Sequence, residues 1–236
     1  MQQLSNKVAL ITGAGGAVGS GVTTALHKAG CKLVLVELND TRLMQLRQQF
    51  AGSDDILPLP ADLGDPEAVQ RLVDSATRTF GRVDFLFNAV GGWVGGKRLH
   101  EHTLDDLQKM LRIDLIPTFN IMNKILPVMV DQGGGKIINF ASMAVFGTGA
   151  NVSAYAASKS GIVALTRAAA EEYKTHNIQV HAFAPSIIDT PANRAAMPGA
   201  DFSQWVSIAE LAQTAVFIFS SANSLSSTIF KFTGRL

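Results

Sequence analysis

The 236-residue sequence has a single cysteine, Cys31. No disulfide can close within the chain, and a reducing compartment is the default expectation. A charge of one sign is equally lacking: 20 Lys and Arg oppose 19 Asp and Glu, for a formal net charge of +1. That balance provides no basic field for nucleic acid and no polybasic patch for an anionic membrane. The first apolar run, Val8 to Ile11, is far too short for a signal-peptide core. No stretch of about eighteen apolar residues stands out as a membrane span. Low-complexity linkers, charge blocks and internal repeats are missing too. The expectation is a cytoplasmic globular protein, with residues 1–236 forming one domain large enough to bury a core without disulfides or a structural metal.

What is present alternates. Short, nearly continuous apolar runs at Val8–Thr12, Lys32–Glu37, Ile56–Leu59, Val83–Asn88, Lys136–Phe140, Ile178–Phe183 and Thr228–Phe232 read as strands covered on both faces. Between them, Val18–Ala29, Asp40–Phe50, Pro66–Phe80, Thr103–Val130, Ser153–His176 and Ile208–Ser220 are long enough for helices. Pro66 after Asp65 suits a first helical position, and Gly81 suits the residue that closes that helix. Repeated alternation predicts right-handed crossovers and an α/β fold: a Rossmann-type, doubly wound parallel sheet of about seven strands with helices on both faces. Asp189–Trp205 breaks the pattern with Pro191, Pro198 and Gly199. It reads either as a lid over a site or as a surface excursion with two short helical turns.

Two stretches carry chemistry. After the first strand comes Thr12-Gly13-Ala14-Gly15-Gly16-Ala17-Val18-Gly19, leading into a helix. Glycines there let the backbone approach a pyrophosphate at the helix N-terminus. Glu37, closing the next strand, can accept hydrogen bonds from adenosine ribose hydroxyls and would repel a 2′-phosphate. The next residues, Leu38 and Asn39, are not basic, so NAD(H) is favoured over NADP(H). The second stretch is Ser142 just past a strand, followed by Tyr155 and Lys159, which are four residues apart and so on one helix face. A neighbouring ammonium favours a phenolate, and a shift of about two to three pKa units is worth roughly 3–4 kcal/mol. A hydroxyl beside the phenol can hold the same substrate oxygen.

With these motifs the chain resembles the short-chain dehydrogenase/reductase family along essentially its whole length. Tyr155-Ala-Ala-Ser-Lys159 follows Ser142 by thirteen positions, as the family's Tyr-x-x-x-Lys pair does. The resemblance implies that Gly13, Gly15, Gly16, Val18 and Gly19 line the cofactor, that Asp62-Leu63 lie at the adenine, and that Tyr155 and Lys159 also contact the cofactor. Asn88-Ala89-Val90-Gly91 stands where the family has Asn-Asn-Ala-Gly, so Asn88 and Gly91 match. Pro185-Ser186-Ile187-Ile188-Asp189-Thr190 resembles the family's Pro-Gly segment, which implies that the Ile188 backbone and the Thr190 hydroxyl hold the carboxamide. Asp114 falls where the family commonly has a helical Asn that holds a relay water. Its charge is expected to stabilise the Lys159 cation and oppose a Tyr155 phenolate.

The implied activity is hydride transfer between nicotinamide and a small carbonyl or secondary alcohol, with Ser142, Tyr155, Lys159 and Asp114 as the catalytic set. Trp93, within Gly91–Gly96, together with Met197, Phe202 and Trp205, resembles the substrate loops of dihydropteridine reductases. These residues suit a flat or apolar substrate. Reduction of a quinonoid dihydropterin is therefore an alternative activity, and a dinucleotide-sensing protein without turnover is another. His100-Glu101-His102 lacks further ligands and reads as a solvated turn, so no metal is expected. His181 reads as core. Small residues at Ala154, Ala156, Ala157, Ser160 and Gly161 permit close helix packing, and similar proteins pair this helix, so a homodimer or homotetramer is expected.

Overall fold

The computed structural model describes residues 4–147, 149–220 and 225–235. Its strands are β1 (Val8–Thr12), β2 (Lys32–Val36), β3 (Ile56–Leu59), β4 (Phe85–Asn88), β5 (Gly135–Phe140), β6 (Ile178–Pro185) and β7 (Ile229–Phe232). They form one parallel sheet in the order β3-β2-β1-β4-β5-β6-β7. This is the doubly wound Rossmann-type architecture expected from the alternation. β1 is buried at every position, as a strand covered on both faces must be.

The two faces divide the strand residues by parity. Ala9, Ile11, Leu33, Leu35 and Phe87 pack against α1 (Ala17–Lys28), α2 (Asp40–Gln49) and α8 (Ile208–Ser220). Phe85 stacks on Phe219 of α8 with centroids 4.5 Å apart. On the other face Val8, Leu10, Val34, Val36 and Ile137 meet α3 (Pro66–Phe80), α5 (Ile116–Asp131) and α6 (Ser153–Glu172). Pro66 and Gly81 bracket α3 as anticipated: Asp65 Oδ1 accepts the Glu67 N–H, and Gly81 takes φ 77°.

Three expectations need correction. The helix read as continuous over Thr103–Val130 is α4 (Leu104–Met110), a π turn (Leu111–Leu115) and α5. Pro117, in the first turn of α5, has no N–H to give the preceding turn, so regular pairing cannot run through. Leu104–Asp131 is also long and apolar enough to cross a membrane by composition, which the sequence reading overlooked. Half of its most apolar stretch is buried, with Ile121, Ile125 and Met129 enclosed against the sheet. The helix expected to reach His176 ends at Glu172, and a separate 3-10 turn, Lys174–His176, leads to Asn177 at φ 57°. Asp189–Trp205 has the two short turns of one of its readings, α7 (Pro191–Ala196) and a 3-10 turn at Phe202–Gln204.

The strand order reverses between β1 and β4, whose C-terminal residues Thr12 and Asn88 are register partners. Connections leave this edge toward opposite faces and open a crevice there, the usual ligand position in such sheets.

Candidate active site

The turn after β1 is shaped for a close backbone approach. Gly13 sits at φ 61° and its carbonyl accepts the Gly16 N–H at 3.0 Å. A Cβ on Gly19 would be driven into that same carbonyl, and a Cβ on Gly15 would come within 2.7 Å of both Arg42 Cβ and Glu37 Oε2. Val18, in the first turn of α1, packs partly against the core. Gly16 caps α1 without a side-chain hydrogen bond, and the first turn has no acidic residue. The leading N–H groups are thus left for an anion. Glu37 is 7% exposed, with Oε2 accepting from Gly15 N (3.1 Å) and Oε1 from Asn39 N (3.0 Å). The carboxylate is fixed beside the glycine turn and keeps lone pairs for further donors. Arg42, whose stem lies across Gly15, was not singled out in the sequence. Its only signal there is its place in the first turn of α2.

Farther along the edge, Asp62 is exposed and accepts the Gly64 N–H at 2.8 Å. Leu63 is buried, and its carbonyl accepts from Asn120 Nδ2 at 2.9 Å. Asn88 Oδ1 accepts from the Thr12 hydroxyl at 2.6 Å, while its buried Nδ2 has no partner among the described residues. An orphaned donor at the switch point, a glycine turn with no room for a Cβ and an uncapped helix start all fit a dinucleotide. At the other end of the crevice, the Ile188 carbonyl accepts from Asn193 Nδ2 at 2.8 Å. Thr190 Oγ1 accepts the Asn193 N–H at 3.1 Å to cap α7, so its own proton is free to be donated.

Ser142, Tyr155, Lys159 and Asp114 converge. Ser142 leaves β5, its Oγ accepting the Ala144 N–H at 3.2 Å, and lies near enough to the Tyr155 phenol to lower its pKa. Lys159, one turn beyond Tyr155 on α6, is 3% exposed. Its Nζ donates to the Phe140 carbonyl (3.0 Å), pairs with Asp114 Oδ1 (3.1 Å) and lies 5.7 Å from the Tyr155 ring centroid. The π turn brings Asp114 in fully buried. Oδ1 also accepts the Gly92 N–H (3.0 Å) and Oδ2 the Ser158 hydroxyl (2.9 Å). Gly91 must stay glycine, since a Cβ there would come within 2.6 Å of Asp114 Oδ1.

The electrostatics agree with the opposition expected of Asp114. The Tyr155 phenol is pushed up to about 12 by burial, with the Asp114 charge adding and the Ser142 hydrogen bond opposing. Burial draws Lys159 below the usual lysine range, against the pull of Asp114. Lys159, one turn away, is itself paired with Asp114. Ser158, which completes the pairing, went unnoticed in the sequence as an ordinary member of the Tyr-x-x-x-Lys spacer.

Of the four expected substrate residues, two are in ring contact. Phe202 and Trp205 meet with centroids 4.8 Å apart. Arg194 lies over Phe202 at 4.8 Å and forms a two-pronged pair with Asp189 (2.5 and 2.7 Å). Met197 ends α7, partly buried. Trp93 is 62% exposed and folds over its own loop at Gly95, with no ring contact to the other pair among the described residues. His102 is packed rather than solvated, its side chain 5% exposed and Nδ1 3.5 Å from Asp106 Oδ2. A surface cavity of about 420 Å³ lined by Lys7, Arg82, Asp84, Lys136 and Phe219 lies at the opposite edge of the sheet, away from these groups.

A glycine turn thus lies at the switch point, with Ser142, Tyr155 and Lys159 near one another on the same edge of the sheet. The short chain dehydrogenase family model matches residues 7–201, and the chain belongs to that family. It is similar to an uncharacterised oxidoreductase of Staphylococcus aureus (29% identity, over 84% of this chain and 85% of that protein). It is also similar to levodione reductase of Leifsonia aquatica (34% identity, over 80% and 72%). Among solved structures, NAD+-bound xylitol dehydrogenase superposes with a TM-score of 0.88 at 26% identity, covering 98% of this chain and 99% of that one. Levodione reductase superposes at 0.87 with 29% identity, covering 98% and 97%. The protein is an oxidoreductase that acts on CH–OH or C=O groups of small molecules with a nicotinamide cofactor.

Proposed function

We propose that the protein transfers hydride between NAD(H), in preference to NADP(H), and a carbonyl or secondary alcohol, with Tyr155 as the acid/base. The observation that carries this reading is the meeting of Ser142, Tyr155 and Lys159 at the edge where β1 and β4 diverge. The bound nicotinamide supplies or accepts the hydride. In reduction the Ser142 and Tyr155 hydroxyls hydrogen-bond the carbonyl oxygen, and Tyr155 releases its proton to that oxygen. Lys159 and the Thr190 hydroxyl are assigned to the cofactor's nicotinamide end, and Asp62 to its adenine end. Glu37 supports the choice of NAD(H), because its fixed carboxylate stands beside the glycine turn and repels a 2′-phosphate. The aromatic pair Phe202–Trp205 is assigned to the substrate.

The reading extends to residues 1–236 as one catalytic domain and to a homodimer or homotetramer. Ile116 and Phe119 on α5 are 40% and 50% exposed, consistent with an assembly that light scattering would detect.

The test is NADH oxidation against a panel of ketones, aldehydes and a quinonoid dihydropterin, repeated with NADPH and with Tyr155→Phe. Turnover with NADH that falls at least a hundredfold in Tyr155→Phe, while NADH binding is retained, is expected. Tight NADH binding with no turnover on any substrate would instead make the protein a dinucleotide sensor.

A further inference from the structure

The Asp114 carboxylate is 0% exposed and has three donors: the Gly92 N–H, the Lys159 ammonium and the Ser158 hydroxyl. A buried charge is tolerated only when it is paired and hydrogen-bonded, and here each charge is the other's compensation. Ser158 has one proton and two acceptors within reach, Asp114 Oδ2 at 2.9 Å and the Tyr155 carbonyl at 2.8 Å. Donation to the ionised carboxylate is the stronger bond. The Asp114 backbone is held as well, its carbonyl accepting from Thr118 at 2.8 Å. This arrangement bears on Tyr155 through charge balance. An unpaired ammonium 5.7 Å from the ring would favour the phenolate; an ammonium neutralised at 3.1 Å largely does not.

We propose that Asp114, held in place by Ser158, is a counter-ion that cancels the Lys159 charge and keeps Tyr155 protonated at neutral pH, setting the site to deliver protons and so to reduce carbonyls. This rests on the function proposed above and adds a direction to it. Both Asp114 and Ser158 are positioning residues in this scheme, acting through Lys159. The groups that act on the phenol are Asp114 from the π turn, Lys159 from α6 and Ser142 from the loop after β5. Asp189, before α7, is neutralised by Arg194. For each carbonyl reduced, the carbon gains a hydride at the expense of the reduced nicotinamide, and the C=O π pair moves to oxygen. That oxygen takes the Tyr155 proton, and solvent returns a proton to the phenolate. Burial and the Asp114 charge both raise the phenol, which agrees with this assignment.

The chain has only two tyrosines, Tyr155 and Tyr173. The ultraviolet phenolate signal of the intact protein minus that of Tyr155→Phe therefore reads Tyr155 alone, with no substrate needed. At about pH 10, where an ordinary phenol is half ionised, wild-type Tyr155 is expected to contribute little phenolate and Asp114→Asn about tenfold more. Ser158→Ala is expected to fall between them. The pH limb of alcohol oxidation should move down by the same interval, while carbonyl reduction near neutrality does not gain. Coincident phenol titrations in wild type, Asp114→Asn and Ser158→Ala, with fold retained by circular dichroism, would overturn the counter-ion. If Asp114→Asn is not folded, Ser158→Ala alone decides, since its hydroxyl is the only atom removed. Failure of the hydride-transfer reading is separately visible as absent turnover in a wild type whose phenol titration still responds to both variants.

Discussion

Glu37 and Gly19 make opposite demands on the cofactor turn. On the NAD(H) reading proposed above, Glu37 contributes charge, so replacing it with Ala is expected to raise the ratio of kcat/KM with NADPH to that with NADH about tenfold or more. An unchanged ratio would place cofactor choice elsewhere, with Arg42 across Gly15 the next residue to replace. Gly19 contributes space. A methyl there meets the Gly13 carbonyl and Ala14 Cα, so Gly19→Ala is expected to cost about 1–3 kcal/mol of stability and to weaken NADH binding, read by melting temperature and NADH fluorescence. Both residues were legible in the sequence because strand, glycine turn, helix and acidic residue occur in fixed order. Ser158 and Arg42 were not, because what they touch comes from elements remote in the chain.

At the scale of elements, two segments show how helices position the site. The π turn at Leu111–Leu115 turns Asp114 inward onto Lys159 of α6. Periodicity over Thr103–Val130 concealed it, although Pro117 was a visible cause. α7 is a short helix held by its Thr190 cap, by the Asp189–Arg194 pair and by Arg194 lying over Phe202. Arg194→Ala is expected to free Phe202 and raise the substrate KM several-fold with kcat little changed, as measured by steady-state kinetics. A fall in kcat at constant KM would count against Phe202 and α7 as substrate-positioning elements.

At the scale of the whole molecule, stability carries a pH dependence from the sheet itself. His181, on β6, is fully buried beside Phe230, its centroid 5.6 Å away. Burial, with the Lys136 charge adding, pulls its pKa from 6.5 to about 4. The unfolded chain therefore binds a proton more readily than the folded one, and stability is lost as pH falls from about 6.5 to about 4. This amounts to up to ~3 kcal/mol. Denaturant melts across that range are expected to show the slope, and His181→Leu should flatten it. A slope that survives in His181→Leu would assign it to other groups.

Fold class, strand positions, the dinucleotide turn and the Ser142–Tyr155–Lys159 set followed from hydrophobic periodicity and local spacing, both properties of neighbouring residues. The Ser158–Asp114 hydrogen bond and the place of the Arg42 stem across Gly15 did not. Each depends on which distant side chains share one space, and burial is what leaves Asp114 and Lys159 as each other's partner.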